Sequence, residues 1–150
     1  RTKAEDRLRA EYARVVVDTN VLISAAIAPS GIPARVLDRL LQDGVLVFSE
    51  QTFNELATRI RKPKFDAYLS QDMRRRLLDD FNAAAQWVDI PRNLADRTFS
   101  RDRDDDALIH VALAAGVARI ISGDADLLVL SEIEGVRIVT PKVAWSEMDQ

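Results

Sequence analysis

The chain has no cysteine and one histidine among its 150 residues. The first absence excludes disulfides and thiolate metal sites, and the second excludes a zinc centre built on several imidazoles. Any metal here is therefore held by oxygen, which favours Mg2+ or Mn2+. No apolar run approaches the roughly 20 residues that span a bilayer, and no secretory pattern is visible, so the sequence reads as a cytoplasmic protein without a membrane partner. There is no glycine-rich loop ending in Gly-Lys-Ser/Thr, which argues against a nucleoside-triphosphate machine. Internal repeats, low-complexity tracts and interdomain linkers are also missing. What is there, 47% hydrophobic and 30% charged residues, is the composition of one folded globular domain.

Residues 1–13 are charged and helix-prone, and read as an N-terminal extension to a domain spanning 14–150. Val15, Val16 and Val17 form a β-branched run that stops at Asp18, the pattern of a strand buried on both faces of a parallel sheet. Comparable runs are Val45–Phe48, Trp87–Ile90, Arg119–Ser122 and Val136–Val139. Helical patterning separates them. A helix is expected over 19–28, and another over 33–42 with Val36, Leu37, Leu40 and Leu41 on one stripe. Ser49 caps a third, with Phe53, Leu56, Ala57 and Ile60 inward. The helix from Ser70 carries Met73, Leu77, Leu78 and Phe81, and that from Asp104 carries Leu108, Ile109, Ala112 and Leu113. Residues 91–103 read as a polar connection, and Thr140-Pro141 opens a closing helix. This alternation predicts an α/β domain around a mainly parallel sheet covered on both faces.

In such folds ligands collect at the carboxyl ends of the strands. Asp18 and Asp124 both stand there. Glu55 sits at the edge of an amphipathic helix face, and its claim rests on the company of the other acids. Asp102, Asp104, Asp105 and Asp106 crowd one helix start, where negative charge also suits the macrodipole. Asp104 or Asp105 suits the cap, while Asp106 lies one turn before His110 and borders the apolar stripe. Spacing alone does not decide which acid points inward. Asn20 and Ser122 are placed to orient neighbouring carboxylates, and Gly123 allows close backbone approach. Asp126 is either a second-metal or water-mediated ligand or a surface acid. His110 reads as a half-buried helix residue rather than a base. Carboxylates gathered in this way repel one another until a divalent cation reverses the penalty.

The net charge is −3, yet basic residues are grouped. Arg59, Arg61, Lys62, Lys64, Arg74, Arg75 and Arg76 form one set, and Arg92, Arg97, Arg101 and Arg103 another. An acidic pocket between basic segments suits a phosphodiester substrate, although solvated helix faces look the same in sequence. A phosphoryl-transfer hydrolase using Asp18 as nucleophile would want a second Asp at position 20, where Asn20 stands.

Taken together, VVVDTNVLISA, SEQTFNELATRIRKPKF, RDRDDDALIHVALAAGVARIISGDADLL and VRIVTPKVAW resemble the PIN-domain family, within it the toxin components of bacterial toxin–antitoxin pairs. The resemblance covers almost everything from Arg14 to Met148. It implies a three-layer α/β/α sandwich and a metal-dependent endoribonuclease using one or two Mg2+ or Mn2+ ions. By the same resemblance Asp18, Glu55, Asp106 and Asp124 are the catalytic, metal-binding acids, Asn20 and Ser122 brace them, and Arg59, Arg61, Lys62 and Lys64 are candidates for RNA contact. A homodimer and a small antitoxin partner are also implied. The alternative is a PIN fold serving as a non-catalytic binding or assembly module.

Overall fold

The computed structural model describes residues 2–149. In chain order the elements are α1 (Lys3–Glu11), β1 (Arg14–Val17), α2 (Thr19–Ile27), α3 (Ile32–Asp43), β2 (Val45–Phe48) and α4 (Glu50–Ile60). They continue with α5 (Gln71–Ala84), β3 (Gln86–Trp87), α6 (Arg92–Ala95), α7 (Arg103–Ala115) and β4 (Arg119–Ile121). The chain closes with α8 (Ala125–Leu128), β5 (Glu132–Ile133), β6 (Val136–Val139) and α9 (Pro141–Met148). The strands form one sheet in the order β3-β2-β1-β4-β6-β5. Among the described residues all pairings are parallel except β5 with β6.

The valine run of β1 lies at the centre of this sheet. Val15 pairs with Leu46 on one side, while Val16 and Val17 pair with Ile120 and Ile121 on the other. Because side chains alternate along a strand, Val15 and Val17 enter one core with Leu22, Val36, Leu40, Leu56 and Phe81. Val16 enters a second core with Leu108, Ile109, Ala112, Ile120 and Leu127. Two cores on opposite faces make the three-layer α/β/α sandwich. The chain leaves β1 towards β2 and later returns to β4 on the opposite side. The crevice between the carboxyl ends of β1 and β4 is thus the switch point where open α/β sheets bind ligands. Among the described residues no single helix is long and apolar enough to cross a membrane.

Several expectations need correction. The strand expected over Trp87–Ile90 is confined to Gln86–Trp87, although Val88 and Ile90 still pack on the second core. The polar connection 91–103 contains the short helix α6. An unforeseen antiparallel strand, β5, reaches β6 through a hairpin whose two loop residues, Glu134 and Gly135, both have positive φ. On α3, Leu41 is exposed, and on α5 Met73 is exposed while Arg74 is buried. The Arg74 guanidinium lies 2.9 Å from Asp66, so Arg74 does not belong to a solvent-facing basic cluster. Arg75 and Arg76 both pair with Asp72.

The segment before β1 docks on the body. A Thr2–Glu5 capping box starts α1, Tyr12 is buried in the first core, and its hydroxyl donates to Glu147. Buried Arg119 sits 2.7 Å from Glu11 and joins the same network.

Candidate metal centre

Asp18 directly follows β1 and is buried. Its Oδ2 accepts a hydrogen bond from the Ser122 hydroxyl at 2.7 Å, and its Oδ1 accepts a longer one, 3.4 Å, from the Asn20 amide. The Asn20 contribution to Asp18 is therefore its backbone, not its side chain. Ser122 is fully buried just beyond β4. Its Oγ also accepts from the Asp124 amide at 3.0 Å, so one hydroxyl ties the two strand ends together. Asp124 in turn accepts from the Asp126 amide at 2.8 Å.

The third acid comes from α7. Asp102 is the helix N-cap, accepting from the Asp104 amide. Asp105 is buried at 4% exposure. One oxygen each from Asp18, Asp105 and Asp124 lie within 4.8 Å of one another. Asp106, the acid expected there, is placed elsewhere. Its Oδ1 accepts from the amides of Phe99 (3.0 Å) and Ser100 (2.8 Å), pinning the loop before α7. Adjacent helical residues differ by about 100° in direction, and here that turn carries the Asp106 carboxylate to the Phe99 and Ser100 amides while Asp105 faces the trio. Asp105 shares its face with Leu108, Ile109 and Ala112 at helical spacings, and this phase was the available signal. His110 is buried beside Asp106, its Nε2 2.7 Å from the Arg97 carbonyl.

Glu55 borders the trio from α4. Its side chain is about nine-tenths buried, and Oε1 lies 3.1 Å from Arg59 Nη2. Among the described residues the other oxygen, Oε2, is buried without a hydrogen-bond partner, as is Asp105 Oδ2. Asp126 stays outside the trio, its half-exposed side chain 3.9 Å from Arg101. Arg59 is also drawn into the site, with Nη2 3.1 Å from Asp104 Oδ2 and Nη1 donating to Asn20 Oδ1 at 3.1 Å. Arg61, Lys62 and Lys64 are exposed beyond α4, and Lys64 lies over the Phe65 ring.

Burial dominates the electrostatics. It pushes the Glu55 carboxyl up to about 7, opposed by Arg59 and reinforced by the charges of Asp104, Asp18 and Asp102. Asp105 is likewise pushed up to about 7, by burial first and then by Asp124, Asp102 and Asp18. Burial raises Asp18 too, against the hydrogen bonds from Ser122 and Asn20. The site is thus under charge strain. Its donors are all carboxylate oxygens, and two buried ones lack partners, so the residues fit a hard divalent cation. Ser122→Ala should weaken Mn2+ binding by about 10- to 100-fold, the usual cost of removing a hydrogen bond that orients a ligand. Calorimetric titration measures this.

A family model described as PIN domain matches residues 14–126. An uncharacterised protein of Methanocaldococcus jannaschii is 34% identical over 121 residues, covering 79% of this chain and 76% of its own. Solved structures share the fold at low identity. PAE2754 from Pyrobaculum aerophilum aligns with TM-score 0.60 at 16% identity, over 93% of this chain and 92% of its own. VapBC2 from Rickettsia felis, bound to a promoter DNA fragment, gives 0.57 at 12% identity, over 85% and 98%. VapC20 from Mycobacterium tuberculosis, described as a Sarcin-Ricin loop cleaving toxin, gives 0.54 at 14% identity, over 82% and 98%.

Proposed function

This chain belongs to the PIN-domain family, and from that premise we propose that it is a metal-dependent endoribonuclease, the toxin of a toxin–antitoxin pair. The observation that carries this reading is the convergence of Asp18, Asp105 and Asp124 at the switch point, with Glu55 beside them. Those three acids would hold Mg2+ or Mn2+. When bound, the cation supplies Lewis-acid polarisation of the phosphate and activation of the attacking water. Glu55 Oε2, buried and unpartnered among the described residues, would serve as a hydrogen-bond acceptor for a water at the site. Ser122 fixes Asp18 and the Asp124 turn in their directions. Exposed Arg61, Lys62 and Lys64 would hold flanking backbone phosphates.

RNA as substrate and a small antitoxin as partner are part of the same proposal. A homodimer acting in the cytoplasm belongs to it as well. The description of the M. tuberculosis neighbour as a toxin cleaving the Sarcin-Ricin loop supports the choice of RNA. The test is incubation of purified protein with a pool of structured and single-stranded RNA, in Mn2+, in Mg2+ and in chelator. Cleavage should require the metal and vanish in Asp18→Asn. Cleavage at an unchanged rate in that variant would sink the assignment, and a chain that binds neither metal would be a binding module.

A further inference from the structure

Arg59 is unusual among the basic residues because it lies inside the acidic site. Its guanidinium reaches three helices at once: Glu55 on its own helix α4, Asp104 on α7 and Asn20 on α2, each contact at 3.1 Å. An exposed i,i+4 Glu–Arg pair contributes little. This one differs, since the Glu55 side chain is nine-tenths buried and the same Arg59 nitrogen serves a second carboxylate. Arg59 also takes only one oxygen of Glu55, leaving Oε2 buried without a partner. The guanidinium therefore offsets part of the site's negative charge and leaves an acceptor open for another ligand.

We propose that Arg59 is an internal counter-ion that competes electrostatically with the divalent cation, setting its affinity and releasing Glu55 when it binds. The inference rests on the reading of Asp18, Asp105 and Asp124 as a divalent-cation site. A fixed positive charge paired with Glu55 and Asp104 beside the trio opposes a dication while stabilising the metal-free pocket. Arg59 is thus a positioning residue that holds the acids in place until the ion arrives. A residue serving only to tie helices together would, when lost, weaken metal binding or leave it unchanged. A competing counter-ion does the reverse.

The experiment is calorimetric Mn2+ titration of the full chain, wild type beside Arg59→Gln and Arg59→Lys, with the metal-free thermal midpoint of each. Arg59→Gln should bind Mn2+ on the order of tenfold tighter while its metal-free midpoint falls, and Arg59→Lys should keep wild-type affinity. Wild-type binding with equal or weaker binding in Arg59→Gln would overturn the counter-ion role alone. Absence of binding in both would overturn it together with the cation site. Should Arg59→Gln fail to fold, the Arg59 Nε–Hε resonance of the wild-type protein decides. It should shift on saturation with Mg2+, and an unmoved resonance would overturn the proposal.

Discussion

Asp105→Asn should cost Mn2+ affinity and RNA cleavage by at least about 100-fold, whereas Asp106→Asn should leave both within a few-fold of wild type. The expectation follows from where two neighbouring acids point. Asp105 contributes an oxygen to the group formed with Asp18 and Asp124, and its buried Oδ2 has no hydrogen-bond partner among the described residues. Losing an orienting hydrogen bond around a metal ligand already costs about 10- to 100-fold, so loss of a ligand should exceed that range. Asp106 instead spends its carboxylate on the amides of Phe99 and Ser100. An Asn there retains an acceptor oxygen, and the expected loss is about 1 kcal/mol of stability, visible in urea unfolding. Equal loss of metal binding in the two variants would contradict the assignment.

The second large effect concerns pH. Folded Glu55 and Asp105 have carboxyls pushed up to about 7, against ordinary values of 4.5 and 3.8. Between these limits the folded chain keeps protons that the unfolded chain has released. Stability must therefore fall as pH rises through this window, with the penalty complete above about 7. The metal-free thermal midpoint should decline from pH 5.5 to pH 7.5, and Asp105→Asn should flatten that decline. Mn2+ at a hundredfold excess over its Kd should raise the midpoint by roughly 5–10 °C at pH 7.5. At pH 5.5 the shift should be much smaller, because protons then hold the same oxygens. A midpoint that rises with pH, or a Mn2+ shift equal at both values, would contradict the charge strain described for this site.

Much of the frame was legible because its signals are local. The run Val15-Val16-Val17 is too uniformly apolar for anything but a central strand, and Asp18 at its end inherits a position at the sheet's carboxyl edge. Asp124 is legible in the same way after β4. The choice between Asp105 and Asp106 was not, since it depends on helical phase at a helix start where four acids crowd together. The phase of Leu108, Ile109 and Ala112 favours Asp105, but the pairing of Asp106 with His110 one turn later competes with it. The β5–β6 hairpin carries no clear sequence signal because Glu134 occupies a left-handed position usually given to Asn, Asp or Gly. Arg74 and Arg59 were hidden for a related reason. A basic run reads as a solvated face, and only tertiary packing buries the first and folds the second back onto Glu55 and Asp104.

The most direct test of the cation site is an anomalous-difference map from crystals soaked in Mn2+ at neutral pH. The expected result is a peak ligated by Asp18, Asp105 and Asp124, with the Asp106 carboxylate still on the Phe99 and Ser100 amides. A peak held by Asp106, or no peak in that crevice at a concentration that supports cleavage, would contradict it.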